Sequence, residues 1–262
     1  MLVFDKIVNK MLKKWWKIFF KNDIFEIIDP EKKDKYKNYL NKIIYRLKSE
    51  NIIISLKAWV YIVPSQDDKN LNKIDLIEKY YLRLLKKYIS YYVGSSYYIS
   101  WKKALEIQMK NYEVQEKIYL INNKINKKIK IWSYEIIFKT ISWKTNNKKI
   151  NLYSIFNKYV IVKNIDNIDF KVSCLELSLI ETALVNDIEI WIPIELLSKT
   201  IKKYSKVFNN DIFYEVWKYK YIMSFNRLKE ISKTIDESLY NVFLDIIKKN
   251  GGLFIWEGLR WF

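Results

Sequence analysis

Between Lys35 and Val63 the apolar spacing of the chain changes from that of a helix to that of a strand, which dictates a helix followed by a hairpin. Leu40, Ile43, Ile44 and Leu47 recur at i, i+3, i+4 and i+7 and form one apolar stripe. Lys37, Asn38, Asn41, Lys42, Tyr45 and Lys48 fall on the other faces. Past Glu50 and Asn51 come two β-branched runs, Ile52 to Ile54 and Val60 to Val63. The intervening Ser55 to Trp59 is expected to be the hairpin loop, with Lys57 at its tip.

This is the element order of a winged helix-turn-helix, in which one helix enters the major groove and a hairpin forms the wing. Asn side chains suit adenine edges, and Lys or Arg suit guanine or phosphate. The candidate DNA-contacting residues are therefore Lys35, Lys37, Asn38, Asn41, Lys42, Tyr45, Arg46, Lys48 and Lys57. The plainer alternative is a surface helix followed by a hairpin, because Lys and Asn are abundant throughout this chain.

Charge distribution favours the first reading. Lys and Arg number 47 against 29 Asp and Glu, but residues 1–150 hold 32 basic and 15 acidic side chains, and residues 151–262 hold 15 and 14. Codon bias toward Lys would spread the excess evenly, so two parts with different partners are expected. Concentrated positive charge binds polyanions by releasing their counterions. Nucleic acid is the first candidate, an anionic membrane surface the second and an acidic protein the third.

Histidine is absent, which removes Ser-His-Asp and Cys-His catalysis, histidine general bases and the usual zinc sites. Carboxylate-only magnesium chemistry survives that filter. Asp166 with Asp169, or Glu176 with Glu181, could be offered for it, but neither pair has a phosphate-cradling glycine loop or a lysine at nuclease spacing. Surface or helix-capping roles are the expectation, with no catalysis and no cofactor. Cys174 is the single cysteine, so an internal disulfide and a thiolate metal cluster are both excluded. No run approaches the roughly 18 apolar residues of a membrane span, and no signal-peptide core is present, so a cytoplasmic protein without a membrane partner is expected.

The expected fold class is α+β, with an N-terminal winged helix-turn-helix over residues 1–66, a connecting helix over 67–92, and a mixed domain over 93–262 whose small sheet leads into a helical C-terminal part. Residues 4–14 and Ile18 to Ile28 read as the first two helices, and Leu71 to Val93 as one amphipathic connector. Tyr97 to Ser100 leads into a helix at Lys102 to Lys110. Lys117 to Asn122, Lys130 to Lys139 and Tyr159 to Lys163 read as strands, and four helices are expected from Ser173 onward.

Gly94 to Leu105, GSSYYISWKKAL, and Val172 to Leu184, VSCLELSLIETAL, together resemble the AbiEi-type antitoxins of type IV toxin–antitoxin systems. That family has a winged helix whose wing reads Gly-Val-Tyr, a Tyr-Ile-Ser…Ala-Leu helix start, a few strands, and a Ser-Pro-Glu…Leu-Leu-Asp helix. Here Val60 and Tyr61 match the wing. Tyr98, Ile99, Ser100, Ala104 and Leu105 match the helix start, and Ser173, Glu176, Leu179, Ile180 and Glu181 the last motif. The chain departs in lacking a proline before Glu176 and in having Glu181 where Asp is common. The resemblance implies a repressor that binds repeats in duplex promoter DNA of its own operon, and a C-terminal domain that counteracts a nucleotidyltransferase-like toxin. Glu176 and Glu181 are expected to serve helix N-terminal and packing roles.

Tryptophan usage is inverted relative to glycine: ten Trp and four Gly. Average usage would give roughly 18 Gly in this length. Trp59, Trp101, Trp132 and Trp143, with Trp15 and Trp16, stand where turn chemistry calls for glycine. The expectation is that these codons are UGA, read as glycine in the host and rendered as tryptophan. The alternatives are a host that reads UGA as tryptophan, or ordinary core aromatics. Misread positions should be exposed tryptophans at turns.

Two other readings stand beside the antitoxin. A plasmid replication initiator would need a second recognition helix and wing in the C-terminal half. A peripheral membrane protein would use the segment KKWWKIFF as an interfacial anchor.

Overall fold

The computed structural model describes residues 3–13, 17–28, 37–68, 70–145, 148–184, 192–219 and 221–249. They divide into two units, Met1–Tyr92 and Val93–Phe262. The protein is mixed α and β, as expected at that level.

In the first unit the chain runs α1 (Val3–Leu12), β1 (Ile18–Phe20), α2 (Lys21–Ile28), α3 (Lys37–Ser49), β2 (Ile54–Lys57) and β3 (Val60–Ile62). β3 lies between β1 and β2 in an antiparallel sheet, with Ile18 opposite Ile62 and Phe20 opposite Val60. Phe4, Ile7 and Met11 of α1, Ile24 of α2, and Ile43, Ile44 and Leu47 of α3 bury their stripes against Phe19, Tyr61 and Val63. Two expectations are corrected here. Ile18 to Phe20 form a buried strand and α2 begins only at Lys21, because three residues are too few to display a period of two. The hairpin loop is Ala58 and Trp59 alone, so Lys57 ends β2 and does not sit at a loop tip.

Helix α3 stops at Asn51, whose φ of 54° carries the chain into the left-handed region. The Ile52 N–H bonds the Leu47 carbonyl at 2.9 Å and the Asn51 N–H bonds that of Lys48 at 3.1 Å. These are the two bonds of a Schellman ending, in which Asn is an accepted substitute for Gly.

The stretch expected as one connector is two helices, α4 (Lys73–Lys79) and α5 (Tyr81–Tyr92). The Asn72 side chain caps α4, accepting from the Ile74 and Asp75 amides. α5 packs within the first unit: Tyr88 and Tyr91 each place a ring 5.0 Å from that of Phe20, and Lys87 pairs with Asp23 at 2.8 Å.

The second unit holds β4 (Tyr97–Ile99), α6 (Trp101–Gln108), β5 (Lys117–Asn122), β6 (Lys127–Ile131), β7 (Tyr134–Lys139), β8 (Ser142–Thr145), β9 (Lys148–Asn151), α7 (Leu152–Phe156), β10 (Val160–Ile165) and β11 (Ile168–Ser173). Five helices come after the last strand: α8 (Leu175–Ala183), α9 (Ile194–Tyr204), α10 (Asn210–Trp217), α11 (Ile222–Ser232) and α12 (Glu237–Lys249). The six-stranded sheet has the order β10-β11-β4-β5-β7-β6, with β11 parallel to β4 and β5 parallel to β7. The segment expected as one strand, Lys130 to Lys139, is the hairpin β6–β7 folded at Trp132 and Ser133. Strand β11 has no counterpart in the sequence reading, since its alternation is short and ends in the apolar run that starts α8.

α8 is the centre of the helical part. All eight residues from Glu176 to Ala183 are buried, and α6, α9, α10 and α11 pack around it. Such a helix has no solvent face, so its polar residues must find internal partners. Among the described residues, no helix is long and apolar enough to cross a membrane.

Candidate functional site

The outer face of α3 is set by its core stripe. With Ile43, Ile44 and Leu47 turned inward, Asn38, Asn41, Tyr45 and Lys48 fall at i, i+3, i+7 and i+10 on the opposite side, all exposed, with Lys42 beside them. Tyr45 is 75% exposed, which no packing role requires. Thirteen residues at about 1.5 Å rise give a rod about 20 Å long, one that fits a major groove about 12 Å wide.

Arg46 is placed differently. Its guanidinium lies 3.9 Å from the centroid of the Phe4 ring and its Nε donates to Glu50 at 2.6 Å, so it binds α3 to α1 and to its own C-terminal turn. Lys57 is exposed at the end of β2. Lys35 and the Lys37 side chain lie outside the described residues, as do Trp15, Trp16 and the Trp143 side chain.

Sequence reasoning missed Lys21. Its backbone N–H donates to the Trp59 carbonyl at 3.0 Å, and its ammonium stands 4.8 Å from the Trp59 ring. It starts α2 beside the hairpin turn, a neighbourhood set by the β1–β3 pairing and invisible to a linear reading. The apolar half of KKWWKIFF is likewise accounted for, since Ile18, Phe19 and Phe20 are buried in β1.

Positive charge does not divide at the boundary between units. Met1–Tyr92 carries 20 basic and 11 acidic residues and Val93–Phe262 carries 27 and 18, a net +9 in each. The expected split at residue 150 therefore falls inside the second unit, where the lysines gather on one sheet edge. Lys127, Lys128 and Lys130 are the exposed residues of edge strand β6, and Lys124 is exposed in the turn before it. Lys128 pairs with Glu135 at 2.8 Å, and the lysines nearby hold that carboxyl below its usual range, the Lys128 hydrogen bond foremost.

The four offered carboxylates have separate structural roles. Asp166 occupies the β10–β11 turn at φ 49°, and Asp169 accepts from Asn164 at 2.7 Å. Glu176 lies in the first turn of α8 and accepts the Asn209 N–H at 2.8 Å. Glu181 is not an N-terminal residue at all. It sits in the last turns of α8, fully enclosed, and accepts from Tyr98 at 2.9 Å, Ser100 at 2.7 Å and Ser173 at 3.2 Å. Ser173 in turn exchanges a 2.8 Å bond with Ser178. Burial pushes the Glu181 carboxyl up to about 7 against the lowering effect of those donors. Its partners are the polar members of the two short motifs, so the residues at 98–100 and at 173–181 meet at one buried carboxylate.

Cys174 stands half-buried at the start of α8, its thiol raised to about 12 by burial. A thiol of that kind is not an activated nucleophile. Neither a protein-family model nor a curated protein matches the chain.

Proposed function

We propose that the first unit is a winged helix-turn-helix that binds duplex DNA, and that the chain is the autorepressing antitoxin of a type IV toxin–antitoxin system, acting in the cytoplasm. The observation that carries the DNA-binding part is topological. The order α1-β1-α2-α3-β2-β3, closed by a sheet in which β3 lies between β1 and β2, sets α3 directly before the hairpin, and both the outer face of α3 and the two-residue hairpin turn are at the surface. In that geometry α3 is the recognition helix and the β2–β3 turn the wing.

The roles then separate by chemistry. Asn38 and Asn41 are the base readers, because a carboxamide can pair bidentately with adenine. Lys42, Lys48 and Lys57 bind phosphate and set register without reading sequence. Arg46 orders α3 and is a positioning residue.

The antitoxin part rests on the two motifs and on the helices C-terminal to them. After β11 the described chain is helical to Lys249, a form suited to packing on a protein partner and unlike the helix and hairpin that a replication initiator would repeat. The partner on this reading is a nucleotidyltransferase-like toxin.

The test is titration of the full chain against the DNA upstream of its own gene. Replacing Lys42 or Lys48 with Ala should each flatten the log–log salt slope by about one unit, and Asn41→Ala should relax base preference by about 1–3 kcal/mol. A salt slope unchanged in all α3 variants rules the helix out as the contact surface. Co-expression with the adjacent open reading frame tests the second part, with a stable complex or relief of toxicity expected.

A further inference from the structure

We infer that positions 59, 101 and 132 are glycine in the protein as its host makes it, and that the tryptophans there are a translation of UGA codons under the wrong code. Eight non-glycine residues among those described have positive φ, and three of them are tryptophan: Trp59 at 72°, Trp101 at 54° and Trp132 at 56°. Chance placement of ten tryptophans in 262 residues would put fewer than one in that set. The other five are Asn51, Asn167 and Asp166, types that tolerate the left-handed region, and the unbranched Lys17 and Lys110, whereas a bulky ring is an outlier there. The one described glycine, Gly94, also has a positive φ, at 63°.

At 132 and 59 the turn itself adds a reason for glycine, and at 101 the place in the helix does. Trp132 and Ser133 are the two residues joining β6 to β7, with Ile131 opposite Tyr134, and only the first has positive φ. That pattern is the II′ hairpin turn, which takes glycine in its first place. Ala58 and Trp59 join β2 to β3 with the positive φ at the second residue, a place that in short turns is filled by Gly or Asn. Trp101 directly follows the extended Ser100 and opens α6 with a φ no helical residue has.

The side chains agree with the backbone at two of the three positions. Trp59 is 63% exposed and Trp132 50% exposed, so neither ring contributes to a core, whereas the Trp101 ring is half-buried against the core and meets Tyr119 edge-on at 4.9 Å, so position 101 rests on its backbone alone. Trp217 is the internal control: it is 6% exposed on α10, has no positive φ, and meets Phe225 edge-on at 5.2 Å. The ring at 217 is native. On the DNA-binding reading, and resting on it, a glycine at 59 uncovers the Lys21 ammonium beside a bare hairpin turn that phosphate can approach closely.

Sequencing the gene and mass analysis of peptides from host-made protein test the assignment without reference to DNA binding. The expected result is UGA at 59, 101 and 132 with glycine in the peptides, and UGG with tryptophan at 217. UGG at the three positions, or tryptophan in their peptides, overturns it. A melting series on the full chain gives the physical check: Trp59→Gly and Trp132→Gly should melt above Trp59→Ala and Trp132→Ala, because only the Cβ distinguishes them. Alanine variants that melt as high as the glycine ones overturn the strain argument.

Discussion

The Tyr98 hydroxyl donates to Glu181 Oε1 over 2.9 Å and joins β4 to α8 across 83 residues of sequence. Ser100, Ser173 and the Trp101 backbone N–H are the further donors, and Tyr221 and Cys174 are the other titratable groups facing the carboxylate. A buried helix with no wet face can hold an acid only when its oxygens accept from internal donors, here three hydroxyls and a backbone amide.

The protonation of Glu181 predicts an inverted pH dependence. Its folded pKa is raised from 4.5 to about 7, so the native state binds the proton more tightly than the unfolded chain. Stability from this group is fully present below the unfolded value, falls as pH rises from about 4.5 to about 7, and is level above. The size is on the order of 3 kcal/mol at most. Urea denaturation of the parent and of Glu181→Gln at pH 5 and pH 8 measures it. The parent should lose more stability than the variant over that interval, and parallel losses would show that the carboxyl does not titrate there.

Asp68 makes the opposite case in the first unit. Burial alone would raise its carboxyl, but Lys79 at 2.6 Å, Tyr80 at 2.7 Å and the Ser65 amide at 2.6 Å hold it well below the usual range. A lowered folded pKa means that its contribution is present above the unfolded value of 3.8 and is lost as pH falls through the acid range. Asp68→Ala should cost about 2 kcal/mol at pH 7, because the buried Tyr80 hydroxyl and the half-buried Ser65 amide lose their acceptor. Chemical denaturation should place most of that loss in the first unit.

Arg46 should affect stability more than DNA contact. Arg46→Ala removes the stacking on Phe4 and the exposed pair with Glu50, a loss of about 1 kcal/mol. Its DNA salt slope should stay at the parent value once folded protein is compared, while Lys48→Ala should lower it. A full unit lost in Arg46→Ala would return that side chain to the phosphate-contacting set.

The two equal charge excesses can be told apart by the same measurement. Replacing Lys124, Lys127 and Lys130 together with Gln removes three charges from one edge of the six-stranded sheet without touching a core position. If DNA lies only on the first unit, the slope for short duplexes should be unchanged. A fall of two or three units would extend the contact surface to β6.

Much of the local structure could be read from residue order. The stripe of Ile43, Ile44 and Leu47 and the polar face opposite it needed no coordinates, because a period of 3.6 is a local property. The excess of tryptophan at turn positions was legible too. What could not be read was the strand status of Ile18 to Phe20, the turn at Trp132, and β11, each a short segment identified by its pairing partner and not by its own pattern.

Residue order by itself determined the change from helix to hairpin between Lys35 and Val63, which α3 side chains oppose the core, and which chemistries a chain without histidine must forgo. Tertiary structure decided that Arg46 is occupied by Phe4 and Glu50, that Lys21 adjoins the hairpin turn, and that Glu181 is a buried acceptor. The reason is range: periodicity and turn chemistry act over a few residues, while burial and hydrogen-bond partners depend on segments that come together only when the chain has folded.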